Sequence, residues 1–500
     1  MKPFVLGIDQ GTSGSRALIL DDQGQVCGYA HHPLERLYPR PDWVEQDPLA
    51  VAQGVAAAIT EAIGQAGCSP DEIVACGISS QRNSDFAWSA RTGKPLANAI
   101  TWQDMRTLPL VNALPQFPHA DETLQRLGYP VAPYMTALHL AWRFQHDEVI
   151  RNAAANHDLR LGQSAAWLIT ALGQPSGHQM DSSLVQAMGL YDIRGRAYWQ
   201  EWLDWLGVPA EPLPQAVPTI HEFGTITVTA PDGRSAPVPV LAMIGDQQAA
   251  LFGHDCRHPG DAETTHGTGT YVKVFLGSHA PFQEKMDTLC AWDIGDGQTY
   301  CLEAQTTVTG AVIRWMRESA GLFATYGEMD DLAAAEPDSG GVVFVPAFTG
   351  LNVPYNDRWA RGTIFGLSLG STRGHIARAF MEAVGYQLRA ILETIQQETG
   401  VQVQQVRVGG GVSASDIACQ VQADMLGLPV IRPTFTEMSA RAAALLAGLG
   451  AGVWSSQTDL PPLPGSHTQF SPSLTTDQRD AAFARWQKAV TLARQWGQES

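Results

Sequence analysis

The sequence predicts an α/β fold in two halves, each opening with strands and a polar glycine turn. Three observations carry that expectation. The chain has 500 residues, beyond the roughly 100–200 of one domain, so at least two cores are expected. Short apolar runs alternate with stretches of helical periodicity along its length. Two strand-flanking turns, Asp9-Gln10-Gly11-Thr12-Ser13-Gly14 and Gly267-Thr268-Gly269-Thr270, are alike in chemistry and lie one in each half, as an ancient duplication would leave them.

Taken in order, residues 4–8 form an apolar strand and 16–20 a second one after the first glycine turn. Residues 25–30 form a third, because Asp21-Asp22-Gln23-Gly24 is a hairpin signal. A helix over 48–64 follows from Val51, Val55, Ala58 and Ile59 at helical spacing, and 73–78 is the next strand. The apolar run 238–244 is expected to open the second half, leading into Gly245-Asp246-Gln247-Gln248. Strands at 271–276, 289–294 and 300–303 follow, then a helical stretch over 309–319, a buried strand at 342–346 and a long helix over 373–397. Strands at 403–408 and 429–431 enclose a glycine turn and a helix, and 437–449 is helical again. Residues 454–477, rich in Pro, Ser and Thr, read as a surface segment before a closing helix, 478–496, packed on the second domain. The expected domains are 1–244 and 245–500.

Composition excludes whole classes. With 44% hydrophobic and 16% charged residues the chain is neither disordered nor a coiled coil. Its net charge of −18 argues against unaided binding to nucleic acid or an anionic membrane. An anionic ligand would need a metal ion or backbone N–H donors. The seven cysteines are scattered without a CxxC pair. A disulfide framework and a zinc site are therefore not expected, and a reducing compartment is. Asp9 interrupts the N-terminal apolar stretch early and no run of eighteen apolar residues occurs, so neither a signal peptide nor a membrane span is expected. The cytoplasm is the expected location.

Four motifs could carry chemistry. In the first turn, Asp9 ends a strand, and Gly11, Thr12, Ser13 and Gly14 can aim N–H groups and hydroxyls at a phosphate. Asp9 can hold a hydrated magnesium ion, and Arg16 adds a fixed positive charge; the alternative is a plain turn capped by Asp9. Gly267–Thr270 repeats the logic, so that two turns could clamp a phosphate chain from both sides. Asp246 follows a strand and precedes a helix, and is an N-cap, a general base for a substrate hydroxyl, or both. Gly409-Gly410-Gly411-Val412-Ser413-Ala414 fits the loose dinucleotide pattern, but far from a first βαβ unit and without the acid expected after the next strand. It reads as a nucleotide-facing loop or a tight turn. A Walker A loop and HExxH are both absent. Trp102 either packs in a core or lines a pocket for a carbon chain.

The chain resembles the FGGY-family carbohydrate kinases, and within them the glycerol kinase branch. The resemblance rests on Gly7-Ile8-Asp9-Gln10-Gly11-Thr12, Trp43-Val44-Glu45-Gln46-Asp47-Pro48, Ser80-Gln81-Arg82, Trp102-Gln103-Asp104, residues 245–251, Pro346-Ala347-Phe348-Thr349-Gly350 and the long stretch 362–382. It implies two actin-like (ribonuclease-H-like) domains flanking a central cleft, and transfer of the ATP γ-phosphate to a hydroxyl of a small polyol or sugar, with Mg2+. It implies Asp246 as catalytic base and Asp9 as the magnesium-side acid. Thr12, Ser13, Arg16, Thr268, Gly310, Arg314, Gly411 and Ser415 would face the nucleotide. Arg82, Asn83, Trp102, Tyr134, Asp246 and Gln247 would face the polyol.

Several positions depart from the glycerol kinase pattern. Arg314 and Ser415 stand where Gln and Asn are usual, Asp42 where Gly is usual and His139 where Lys is usual. Asn83 stands where Glu is usual. An amide donates as well as accepts, and the exchange removes a charged partner for Arg82. Asn83 and the adjoining Ser84-Asp85 therefore direct attention to substrates beside glycerol: a ketopentose, as in xylulokinases, or a tetritol or pentitol. A non-catalytic sugar sensor and another actin-like ATPase are the competing classes. The implied partners are a small polyol or sugar and a homo-oligomer, dimer or tetramer, with no nucleic acid and no membrane.

Overall fold

A computed structural model describes residues 3–281, 285–306 and 308–499. Its frame is two seven-stranded sheets. In the first, β1 (Phe4–Gln10), β2 (Gly14–Leu20) and β3 (Val26–Pro33) form an antiparallel meander. Helix α1 (Pro48–Ala66) covers it with Val51, Val55, Ile59 and Ile63, its start fixed by the Asp47 carboxylate accepting from the Leu49 N–H. Then β4 (Ile73–Ser80) joins β1 in parallel. After a helical insertion come β5 (Gly173–Pro175), β6 (Ile220–Thr229) and β7 (Ser235–Gly245), giving the order β3-β2-β1-β4-β7-β6-β5.

The apolar run 238–244 thus belongs to the last strand of the first sheet, not the first of the second. It lies parallel to β4, which pairs with it from Cys76 to Ser80. Its near-continuous apolar sequence is what burial on both faces demands. Helix α2 (Asp246–Gly253) leaves directly from its end. The second sheet starts at β8 (Ala262–His266), followed by β9 (Thr270–Gly277), β10 (Asp287–Cys290) and β11 (Tyr300–Thr306). The strand expected over 289–294 is shifted: it ends at Cys290, and Ala291 to Ile294 leave the ladder.

Helices α3 (Gly310–Glu318), α4 (Tyr326–Ala334) and α5 (Arg373–Thr399) come next, then β12 (Val406–Gly409), α6 (Asp416–Leu426) and β13 (Val430–Pro433). Helix α7 (Met438–Gly450), β14 (His467–Phe470) and α8 (Thr476–Glu499) close the chain. The order is β10-β11-β9-β8-β12-β13-β14. In both sheets the first strand (β1, β8) sits between its antiparallel successor (β2, β9) and a parallel strand (β4, β12), with another parallel strand (β7, β13) beyond that. The duplication suggested by the two turns is therefore present in the topology.

One helix ties the lobes together. Helix α7 follows the second sheet yet lies on the first, its Ala440, Ala444 and Leu445 inside the first lobe's core. The approach is backbone to backbone: a Cβ on Gly77 of β4 would sit 1.9 Å from the Ala443 carbonyl oxygen. Helix α8 closes a separate core, where Trp486 Nε1 donates to the Phe344 carbonyl at 3.1 Å beside Phe380. Of the described helices, α1 is long and apolar enough by composition to cross a membrane. Its small residues and Val/Ile stripe instead face the sheet, with Val51 and Val55 fully buried.

Candidate active site in the cleft

Both glycine turns face the space between the lobes. The first is closed by the Gly11 N–H donating to the Gly14 carbonyl at 2.9 Å. Thr12 is held at its tip: its hydroxyl donates to Gln81 Oε1 at 3.1 Å and accepts from Trp102 Nε1 at 2.8 Å. Gln81 is fixed in turn by donating to Gln46 Oε1 at 2.7 Å. Trp102 is 39% exposed, on the wall of the cleft, and so is not a core residue.

Asp9 lies behind this turn. Its Oδ2 accepts from Arg16 Nη1 at 3.1 Å and its Oδ1 from Ser79 Oγ at 3.1 Å. Arg16 also reaches Glu437 at 3.2 Å. Burial pushes the Asp9 pKa up, and the guanidinium and hydroxyl only partly offset it. Asp9 caps no turn amide; its partners are side chains. Ser13 is exposed, and neither it, Arg16 nor Asp9 lines the two cavities described next.

The first cavity, of about 520 Å³, is bounded by Thr12, Arg82, Asn83, Trp102, Tyr134, Asp246, Gln247 and Thr268, and so gathers every residue expected to face a polyol. It also has walls that the sequence reading missed: Gln81, Tyr129, Tyr271, Asp287, Glu303 and Gln305. Four of these lie on β9, β10 and β11, where Tyr271 pairs with Gln305 and Asp287 with Glu303. Strand alternation was their only sequence signal, and it does not tell which face meets a cleft.

Asp246 is the first residue of α2, whose N-cap is Gly245. The capping alternative therefore fails, and its Oδ1 is buried without a hydrogen-bond partner. Arg82 Nε lies 3.8 Å from that oxygen. Burial lifts the Asp246 pKa to about 6; Arg82 pulls it down and the charge of Asp9 pushes it up. A carboxylate so placed can accept a proton near neutral pH. Burial alone would lower the pKa of Arg82, but Glu303 and Asp246 hold it above its ordinary value. Its Nη2 donates to Glu303 Oε1 at 2.9 Å and Oε2 at 3.1 Å. Arg82 thus has the acidic partners that Asn83 does not supply.

Asn83 sits at φ 59°, in the left-handed region that asparagine tolerates better than most residues. Its Oδ1 is buried and unpartnered. The neighbouring Asp85 does not reach the cavity. It is fully buried, pairs with Arg143 and accepts from the Ile100 N–H at 2.6 Å. His139 packs nearby, neutral, because burial drives its pKa down to about 4. Of the departures at 83–85, only Asn83 faces the substrate space.

The second cavity, of about 360 Å³, contains Thr268, Gly310, Arg314, Gly411 and Ser415, all expected at a nucleotide, together with Tyr326, Asp330, Met381 and Val384. Thr268 borders both cavities. The second turn is braced on the start of α3, where the Thr309 and Ala311 N–H groups donate to the Thr268 carbonyl at 2.9 and 3.1 Å. Gly410 has φ 85° and a Cβ there would lie 2.3 Å from the His266 carbonyl, so the third turn requires glycine. A Cβ on Gly411 would meet nothing within 4 Å, since that residue faces the open cavity. Ser415 donates to Asp330 Oδ1 at 2.8 Å and caps α6 through the Ala418 N–H.

Residues 4–253 match the N-terminal domain of the FGGY family of carbohydrate kinases, and residues 262–451 match its C-terminal domain. The chain is 37% identical to the glycerol kinase of Symbiobacterium thermophilum over 499 residues, covering 100% of both. It is 39% identical to that of Leptothrix cholodnii, covering 97% of this chain and 98% of the relative. It superposes on the crystal structure of Plasmodium falciparum glycerol kinase with ADP with a TM-score of 0.91 at 25% identity, covering 98% of each chain. The fold of xylulose kinase from Rhodospirillum rubrum matches with a TM-score of 0.87 at 21% identity, covering 99% of this chain and 100% of the other. Two duplicated lobes, a divided cleft and matches over nearly the whole chain lead to one conclusion: the protein belongs to the FGGY family of carbohydrate kinases and is an ATP-dependent kinase acting on a hydroxyl of a small polyol or sugar.

Proposed function

We propose that glycerol is the first substrate of this kinase, bound in the larger cavity with Asp246 as catalytic base. The carrying observation is the unpartnered Asp246 Oδ1, aimed into a cavity that meets the nucleotide cavity at Thr268. Residues 1–244 would supply the polyol-binding residues Arg82, Asn83, Trp102 and Tyr134. Residues 245–500 would supply Asp246 and Gln247 to the polyol, and Thr268, Gly310, Arg314, Gly411 and Ser415 to the nucleotide. Thr12, Ser13 and Arg16 would flank the phosphates from the first lobe.

In this reading the substrate hydroxyl donates to Asp246, which takes its proton as the oxygen attacks the γ-phosphorus. Phosphoryl transfer is chiefly positioning and charge stabilisation, so the base orients the nucleophile more than it drives the step. Arg82 keeps Asp246 ionised above its pKa of about 6. Closure of the lobes excludes water that would otherwise accept the phosphoryl group.

Among the described residues no cluster of three or more His, Cys, Asp or Glu groups could hold a metal alone. Mg2+ in such enzymes needs only one or two carboxylates, with phosphate oxygens and waters completing its shell. Asp9 and Asp246 fit that requirement: Asp9 is buried and Asp246 half-buried, close enough that one raises the pKa of the other. We assign Asp9 to the magnesium side, where the ion would neutralise phosphate charge. The buried thiols of Cys68, Cys76, Cys256, Cys290, Cys301 and Cys419 support a reducing compartment, and we place the enzyme in the cytoplasm.

Asn83 favours a second reading, another polyol or a ketopentose, because its unmet amide oxygen adds hydrogen-bonding capacity where a carboxylate is usual. ADP release measured with glycerol, tetritols, pentitols and ketopentoses tests both readings. Turnover on glycerol is expected; ATP hydrolysis indifferent to every polyol would point to another ATPase, and no turnover at all to a sensor.

A further inference from the structure

Asp287 occupies the wall of the polyol cavity at the start of β10. One pleat row of the second sheet runs Asp287, Glu303, Lys273, Glu263, each directly opposite the next. Lys273 and Glu263 neutralise each other in a fully buried ion pair. Glu303 holds the Arg82 guanidinium. Asp287 alone in the row has no side-chain hydrogen bond or ion pair to a described residue.

Burial and the facing Glu303 push its pKa up to about 8, against the pull of Arg82. At neutral pH it is chiefly the carboxylic acid, able to donate and to accept. The phenols of Tyr129 and Tyr134, which line the same cavity, feel its charge, whereas Asp246 feels that of Asp9. Asp246 connects to Asp287 through Arg82, whose Nε is 3.8 Å from Asp246 Oδ1, and Glu303, which accepts from Arg82 at 2.9 Å and faces Asp287 across the ladder. A chain touching both acids must therefore be longer than one held at Asp246 alone. The unpartnered Asn83 Oδ1 is an unmet group lining the same cavity. Buried polar groups are normally satisfied, and a bound polyol would satisfy these.

We propose that Asp287 is a substrate-binding residue that holds a hydroxyl remote from the one facing Asp246, extending the site to linear polyols of four or five carbons. The proposal rests on the larger cavity being the polyol site and names the substrate class it favours.

The test is kcat/KM for glycerol, a tetritol and a pentitol in the wild type, Asp287→Asn and Asp287→Leu. The wild type is expected to turn over a tetritol or pentitol as well as glycerol. Asp287→Leu, which leaves a hydroxyl without its partner, should lower the longer-polyol-to-glycerol ratio by about tenfold or more. Asp287→Asn, with donor and acceptor kept, should hold that ratio within about threefold of wild type. In the wild type the ratio should also fall as pH rises through about 8, and in Asp287→Asn it should not. That comparison decides the matter if Asp287→Leu does not fold. A ratio unchanged by Asp287→Leu, equal pH profiles in wild type and Asp287→Asn, or wild-type turnover confined to glycerol would overturn the inference. Absence of turnover on every polyol would instead overturn the assignment of the cavity.

Discussion

Asp246, the proposed catalytic base, sits in an unfavourable environment for its charge. Replacing it by Asn keeps the shape and removes the proton acceptor. Turnover should fall by about 10²–10⁴-fold, the usual contribution of a general base, while nucleotide affinity in a titration stays near wild type. The pH profile has a definite sign. Below its pKa of about 6 the residue is protonated and cannot accept, so kcat should decline on the acid side with an apparent pKa near 6. The same shift bears on stability. A carboxyl whose folded pKa is raised stabilises the fold below its unfolded value of 3.8 and loses that contribution as pH rises through about 6. Asp246→Asn should therefore melt at or above the wild-type temperature at pH 8, and a lower Tm would show a structural role instead. Destabilised groups of this kind are common where activity needs them.

At the scale of elements, the site depends on helix α7, which lies on the sheet that carries Asp9 and β7. Its seat is an alanine-rich face against glycines of β1 and β4. Gly77→Val would push a side chain into the Ala443 carbonyl 1.9 Å from the Cβ position. A loss of about 2–3 kcal/mol, read from denaturant unfolding, is expected for such overpacking. Because α2 and β7 pack on the same helix, activity should fall in parallel with stability. The buried Asp85–Arg143 pair braces the chain behind Asn83. Arg143→Met would leave Asp85 buried and unpaired, at about 3–5 kcal/mol, although neither residue reaches the cavity.

For the whole molecule, the decisive contact is between lobes. Arg82 leaves the end of β4, and Glu303 belongs to β11 of the second sheet. Their doubly hydrogen-bonded pair closes the floor of the polyol cavity and orients the guanidinium beside Asp246. Glu303→Gln should raise KM for the polyol by roughly tenfold, since a charge-assisted bond of about 1.5–3 kcal/mol is weakened. The radius of gyration in solution scattering should contract when nucleotide and polyol bind together, and contract less in that variant. An unchanged KM would show that the pair contributes nothing to substrate binding.

The sequence by itself determined the α/β class, most strand and helix positions, and the duplicated glycine turns, because those depend on local periodicity and backbone freedom. It also held the residues expected around each ligand, gathered in the two cavities apart from Asp9, Ser13 and Arg16. Only the tertiary structure decided the rest. Whether 238–244 ends one sheet or begins another depends on a partner strand more than 150 residues away, since β7 pairs with β4 at Cys76. Whether Asp246 caps a helix or faces a cleft depends on Gly245 taking the cap. That Glu303, Tyr271 and Asp287 share a cavity with Arg82 is a matter of sheet register and lobe packing: alternation along a strand fixes two faces, but the neighbouring lobe decides which one lines the cleft.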